Sequence, residues 1–325
     1  MLPPVNDIYR GRSIFVTGGT GFLGKVLVEK LLYSVSTIKH IFILIRGAKN
    51  KIPEERWKLI TEGVLYNRIR KECPERLFKV VLVHGDITIE NLGLSSTDLQ
   101  KLIDEVSVVF HCAATVRFND HLKSAVELNV KGVSRVISLC HRLPKLVSFL
   151  HCSTAYSNSD KCNVEEKVYP LSVDAHKLIE TLEWMDRPLV DQITPALVGK
   201  KLNTYCFTKA LAENLIVQDA NNLPVIIFRP SIVSGIWKDG IPGWVEGIHG
   251  VAAFVFAMSK GTVSCVSENP QSVADYIPVD IVSNMMITAA AYRSTIKTKT
   301  IPVVHCSSSI LNGGATSMFA DVGNH

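Results

Sequence analysis

A strand-length apolar run, Ser13 to Thr17, breaks into Gly18-Gly19-Thr20-Gly21-Phe22-Leu23-Gly24 and resumes as the helically patterned segment Lys25 to Leu32. Strand, glycine turn and helix in that order limit the chain more than any other feature it carries. Gly18 permits the tight turn, Gly21 lets backbone N–H groups approach an anion, and Gly24 lets the helix pack close to the strand. The helix N-terminus then faces the anion with its unpaired donors and its positive dipole end. The turn, with Thr20, Phe22 and Leu23 between its glycines, is expected to hold the pyrophosphate of a dinucleotide. A glycine pattern alone is a weak signal, and its position after the first strand strengthens it. Gly19 to Lys25 also fits the G-x-x-x-x-G-K of a triphosphate loop, but Val26 stands where Ser or Thr would have to hold magnesium.

Further apolar runs follow at Ile41 to Ile45, Val80 to His84, Val106 to His111, Leu146 to Cys152 and Val225 to Phe228, separated by helically spaced segments. Strands alternating with helices argue for an α/β fold. Runs this continuous in Val, Ile, Leu and Phe fit strands covered on both faces, which means a doubly wound parallel sheet of the Rossmann kind. After Phe228 the alternation weakens and glycines crowd between Gly235 and Gly250, a loop-rich stretch expected to recognise substrate. The boundaries expected are a nucleotide-binding part over about residues 10–231, a smaller substrate part over 232–309, and a tail from 310 to 325.

About twenty residues beyond Gly24, where an NAD-specific enzyme places an acidic residue on the ribose, stands Arg46, with Lys49 and Lys51 behind it. A cation there suits the 2′-phosphate of NADPH. Asp86, after the third strand, could meet the adenine amino group, and Ala113-Ala114, after the fourth, are small enough to admit cofactor. Each of these has an ordinary reading as well, a solvated basic loop or a strand-end turn.

Tyr205 and Lys209 lie four apart in a helical segment, which places both on one face. An ammonium beside the phenol would lower its pKa and make Tyr205 a proton donor to a carbonyl oxygen. The end of the fifth strand delivers Ser153 and Thr154, either of which could hold that oxygen; both also suit a capped turn.

Other chemistries are disfavoured. The net charge of +5 is spread along the chain, which does not mark a nucleic-acid binder but suits an anionic substrate or cofactor. The eight cysteines show no C-x-x-C spacing and read as reduced, mostly buried thiols, and no metal site is expected. His111 and His151 read as satisfied core residues. The first twelve residues lack a secretory apolar core, so an intracellular protein is expected. The apolar stretches Val251 to Met258 and Ile281 to Tyr292 fall short of the roughly 20 residues that span a bilayer.

Taken together, Gly18 to Leu32 (GGTGFLGKVLVEKLL), His111 to Phe118 (HCAATVRF), Ser153 to Tyr156 (STAY), Leu182 to Asp186 (LEWMD), Asn203 to Glu213 (NTYCFTKALAE) and Arg229 to Val233 (RPSIV) resemble the fatty acyl-CoA reductases of animals, within the extended short-chain dehydrogenases. Pro242-Gly243-Trp244 and Ile277 to Asp280 extend the likeness, which covers about residues 8–309. The resemblance implies reduction of a long-chain acyl-CoA to a primary alcohol with two NADPH. It implies Tyr205 as acid, Thr154 or Ser153 holding the oxygen, Lys209 tuning Tyr205 and binding the nicotinamide ribose, and Arg229, Pro230 and Ser231 bordering the nicotinamide. It further implies a C-terminal helical domain beyond this chain and a cytosol-facing place at the peroxisomal or endoplasmic reticulum membrane. Leu202 departs from the family's usual proline. Two other readings stay open: a sugar-nucleotide or steroid enzyme of the same superfamily, or an NADPH-binding protein without turnover.

Overall fold

Burial on both faces is what makes the apolar runs into strands. In a computed structural model that describes residues 3–47, 52–247, 250–263, 273–309 and 314–315, every residue of Ser13–Thr17 (β1), Ile41–Ile45 (β2), Val106–His111 (β4), Ser148–Cys152 (β5) and Val225–Pro230 (β6) is buried. Val80–His84 (β3) is only partly covered because it is an edge strand. Three short strands, Ile232–Ser234 (β7), Val273–Ala274 (β8) and Tyr276–Pro278 (β9), lead to Val303–Cys306 (β10), and Gly314–Ala315 (β11) pairs with β8. The main sheet has seven parallel strands in the order β10-β6-β5-β4-β1-β2-β3.

The pleat sends alternate residues to opposite cores. Ile14, Val16, Leu150 and Phe228 face the helices Phe22–Ser34 and Val279–Thr295, while Phe15, Val109, Phe149 and Ile227 face Gly132–His141 and Thr204–Asp219. The apolar stretch from Ile281 to Tyr292 is therefore a sheet-covering helix, anchored by Tyr9 Oη donating 2.8 Å to the Ile287 carbonyl. No described helix is long and apolar enough to cross a membrane. The seven described cysteines are free thiols, five of them buried, with Cys112 half-buried and Cys162 exposed; Cys265 lies outside the described residues.

Strand β10 is absent from the sequence expectation. Its four residues follow Pro302 in a region without alternation, yet they extend the sheet beside β6 in the register Val303 to Ile227 through Cys306 to Pro230. The chain thus returns to the nucleotide-binding sheet well after residue 231.

The loop-rich stretch before it is held tightly. The Asp280 carboxylate accepts from the backbone N–H groups of Trp237, Lys238 and Asp239 at 3.0 to 3.1 Å. Arg68 bridges Glu29 and Asp239 at 2.6 Å each, and Lys30 pairs with Asp239. Trp244 stacks on Phe22 with ring centroids 5.7 Å apart. The expected substrate stretch is clamped onto the first helix of the dinucleotide turn.

Candidate active site

The strand order reverses between β1 and β4: β2 and β3 are added on one side of β1, and β5, β6 and β10 on the far side of β4. Crevices at the carboxyl ends of strands form where the order reverses, because the loops on either side diverge. The glycine turn leaves β1 there and Ala113-Ala114 leave β4 there. A cavity of about 300 Å³ is lined by Gly18, Thr20, Gly21, Arg46, Asp86, Ala113 and Ala114 together with Leu44, Ile87, Cys112 and Leu128. Half of the expected cofactor positions, seven of fourteen, are thereby brought to one groove.

The glycines divide by what confines them. Gly18 has φ +74°, and a Cβ there would sit 2.6 Å from the Ala113 nitrogen; at Gly24 it would sit 2.1 Å from the Gly18 carbonyl oxygen. Gly21 caps the helix with φ −85°, and its Cβ would meet only that oxygen at 3.4 Å. Nothing in the protein demands glycine at 21, whereas a ligand lying on the helix N-terminus would. Gly24→Ala is expected to destabilise the fold by at least about 1–3 kcal/mol through overpacking. Gly21→Ala should leave the melting temperature near wild type and weaken dinucleotide binding; melts with and without NADPH separate the two. Phe22 presents its ring to Trp244, so its backbone, and that of half-buried Leu23, is what this turn can offer. Lys25, the P-loop candidate, pairs with Glu246.

Arg46 and Asp86 meet: Nη1 donates to Oδ2 at 3.2 Å. Burial works against the Asp86 charge, but hydrogen bonds from the Thr88 backbone and hydroxyl and from Arg46 outweigh it and hold the carboxyl below its usual range. Arg46 is otherwise exposed at the groove rim, and Arg56 donates to its carbonyl oxygen. Lys49 and Lys51 lie outside the described residues.

Tyr205, Lys209 and Glu213 form one stripe down the helix Thr204–Asp219, which Asn203 caps by accepting from the Cys206 N–H. Tyr205 is half-buried, and its phenol is hydrogen-bonded with the Thr154 hydroxyl. Thr154 also accepts from the Tyr156 N–H, so it caps the following turn as well. Lys209 is buried and donates to the Cys152 carbonyl at 2.7 Å. Burial pushes the Tyr205 phenol above its ordinary pKa, and burial lowers that of Lys209. The expected depression of the phenol by Lys209 is not realised in this arrangement: desolvation dominates, and the ammonium lies against a strand carbonyl.

Two expected site residues point elsewhere. Ser153 donates to Glu213, and Glu213 is bound bidentately by Arg229, Nε to Oε1 at 2.9 Å and Nη2 to Oε2 at 2.6 Å. The remaining Arg229 donors reach the carbonyls of Glu165 and Lys167 at 3.2 and 2.9 Å and His305 Nε2 at 3.2 Å. This guanidinium is fully buried and serves the interior in place of the expected nicotinamide border. Pro230 ends β6 against Cys306, and Ser231 donates its backbone N–H to the Cys306 carbonyl.

The sequence reading passes over Asn129, in a π-helical turn Glu127–Lys131. Its amide accepts from the Thr115 N–H, donates to the Thr115 carbonyl, and donates to Thr208 at 3.0 Å, tying the loop after β4 to the Tyr205 helix. A lone asparagine within an apolar helical stretch is the available signal.

His111 and His151 are not the satisfied core residues expected. They stack at 5.5 Å on adjacent strands; His111 Nδ1 meets Thr17 Oγ1 at 2.7 Å, while its Nε2 and both nitrogens of His151 have no protein partner. Burial, then the Lys209 charge, drives His111 down to about 3 and His151 well below its ordinary value. A histidine depressed in the folded state takes up its proton only on unfolding, so its stabilising contribution is present above pH 6.5 and is lost as pH falls toward the folded value. Stability should fall below pH 6.5 by up to roughly 1.4 kcal/mol per pH unit for each histidine. Denaturant titrations from pH 7.5 to 5 should show the slope, and His151→Phe should reduce it.

A parallel seven-stranded sheet with a glycine turn at its switch point and a tyrosine and lysine one helical turn apart defines a dinucleotide-binding domain with the extended short-chain dehydrogenase fold. The chain belongs to the NAD(P)-binding family described as Male sterility protein, whose pattern it matches over residues 16–286. It is 40% identical over 308 residues to fatty acyl-CoA reductase 1 of Homo sapiens, covering 95% of this chain and 60% of that protein. It is 38% identical over 304 residues to fatty acyl-CoA reductase 2 of Bos taurus, covering 94% and 59%. The chain thus spans about three-fifths of the length of these relatives. The terminal R domain of the myxalamid PKS-NRPS pathway shares the fold, with TM-score 0.69 and 22% identity over 96% of this chain and 69% of that one. So does UDP-glucuronic acid 4-epimerase of Bacillus cereus, at 0.61 and 20% over 96% and 84%.

Proposed function

We propose that this chain reduces long-chain acyl-CoA thioesters to primary alcohols with NADPH, through an aldehyde kept in the site. The observation that carries the reading is the Tyr205 phenol, held by Thr154 and borne on the helix that also carries buried Lys209, in a chain 40% identical to a fatty acyl-CoA reductase. The groove fits a dinucleotide: Gly21 leaves space that a side chain would fill, over a helix N-terminus, with a cation at the rim. The nicotinamide, when bound, supplies hydride. Tyr205, kept protonated by burial, donates its proton to the carbonyl oxygen as negative charge builds there, while Thr154 fixes the direction of the O–H. Lys209 offers three donors, one of them already engaged by the Cys152 carbonyl, and adds a positive field beneath the reacting oxygen.

Adding palmitoyl-CoA to purified protein and following NADPH absorbance tests the reading. Oxidation of two NADPH per hexadecanol supports it, and tight NADPH binding without oxidation overturns it. Among the described residues the Arg46 side chain makes one hydrogen bond, 3.2 Å to Asp86, from which it can turn toward a 2′-phosphate. Arg46→Ala should raise the KM for NADPH about tenfold or more and leave that for NADH within about twofold, as expected when one charge-assisted contact is lost.

A further inference from the structure

The loop between β4 and the helix Leu122–Val126 combines two properties that seldom occur together. Its backbone is fastened at both ends. Asn129 grips Thr115 through both the N–H and the carbonyl, Thr115 Oγ1 donates to Asp120, and Thr204 Oγ1 donates to the carbonyls of Phe118 and Asp120 at 3.2 Å each. Thr204 opens the Tyr205 helix, and Asn129 also holds Thr208 on that helix, so the loop is set directly against the catalytic stripe.

Yet this fastened loop displays apolar side chains to solvent. Val116 is 67% exposed and Phe118 60% exposed, and Leu202, two residues before Thr204, is 68% exposed. The Phe118 ring lies against the Tyr205 ring, with centroids 5.8 Å apart and planes at 45°. Single exposed apolar residues are ordinary, but an immobilised aromatic in contact with a proton donor is placed to meet a ligand. The ring does not fill the core and donates no hydrogen bond. What it offers is an apolar wall beginning at the phenol and leading outward.

We infer that Phe118 is the positioning residue for the acyl chain: the methylenes next to the thioester carbonyl lie on its ring, which directs the carbonyl oxygen at Tyr205. The inference rests on the acyl-CoA reading and names the part of the chain that carries substrate specificity. Each methylene removed from water is worth about fourfold in binding, so a ring covering the first few of them favours any chain long enough to lie across it over a very short one.

The test uses the whole chain loaded with NADP⁺ and a series of S-alkyl-CoA thioethers from ethyl to hexadecyl, which bind without reacting, with Kd read by calorimetry. The wild type is expected to tighten with each added pair of methylenes. Phe118→Ala should weaken octyl-CoA and hexadecyl-CoA alike, at least tenfold, and ethyl-CoA less, with NADPH affinity unchanged, and Phe118→Leu should restore most of the loss. In parallel turnover assays the mutation should raise KM for palmitoyl-CoA more than it lowers kcat. A chain-length series in Phe118→Ala that matches wild type, while wild type turns over palmitoyl-CoA, overturns the inference and leaves the acyl-CoA reading standing. Absence of both thioether binding and turnover in the wild type overturns both.

Discussion

Tyr205→Phe is expected to reduce acyl-CoA-dependent NADPH oxidation by about a thousandfold, within the range set by positioned proton donors. The substitution removes one oxygen and keeps the ring, so packing against Phe118 is retained and the helix cap at Asn203 is untouched. NADPH affinity should stay within about twofold, since the dinucleotide groove is lined by the ends of β1, β2, β3 and β4, with the phenol outside it. Because burial raises the phenol's pKa, the acid form is present across the neutral range, and activity should not decline through loss of that proton as pH rises from 6 to 8. Thr154→Ala should be less clean, since the same hydroxyl caps the turn Ala155–Asn158, and Thr154→Ser should restore both jobs. Single-turnover rates with palmitoyl-CoA, alongside NADPH binding, measure these effects; a Tyr205→Phe protein that reacts within tenfold of wild type would remove the phenol from the mechanism.

The parts of this fold legible in the sequence are those where one local rule suffices. The boundaries of β1 and β2 follow from uninterrupted apolar runs, and Gly18 and Gly24 are dictated by backbone atoms that leave no room for a side chain. Strand β10 was hidden because four residues after a proline carry too little pattern, and only the neighbouring β6 makes them a strand. Depth was the harder quantity. Tyr205 and Lys209 were readable as a pair, and Glu213 continues their spacing by another four residues, yet nothing in the string says that this stripe descends from the cleft into the core. Ser153 is read onto the substrate oxygen from its position after a strand, and Arg229 onto the nicotinamide from the family resemblance; the structure assigns both to the carboxylate at the bottom of that stripe. The histidines mislead for a different reason: their burial follows from the apolar runs that hold them, but the supply of hydrogen-bond partners does not.

That buried carboxylate is where the second large effect lies. Arg229 and Glu213 have side chains 0% and 1% exposed, and their mutual hydrogen bonds at 2.6 and 2.9 Å offset the cost of taking both charges out of water. Arg229→Met would leave the Glu213 carboxylate with the Ser153 hydroxyl and the nearby Lys209 and His305, too little to replace a bidentate guanidinium. The expected loss is about 3–5 kcal/mol, a large share of the roughly 5–15 kcal/mol that keeps a domain folded. Urea melts should show it as a shifted midpoint at unchanged slope. Removing the partner charge as well, in Arg229→Met with Glu213→Leu, should recover much of the loss, because two apolar chains of similar volume then fill the site without an unpaired ion. The comparison also discriminates the two roles that position 229 can be given. A residue acting on the nicotinamide would lose NADPH affinity in the single variant and not regain it in the double, with stability close to wild type in both; a structural ion pair shows the opposite pattern, stability lost and regained while the affinity of the folded fraction stays near wild type.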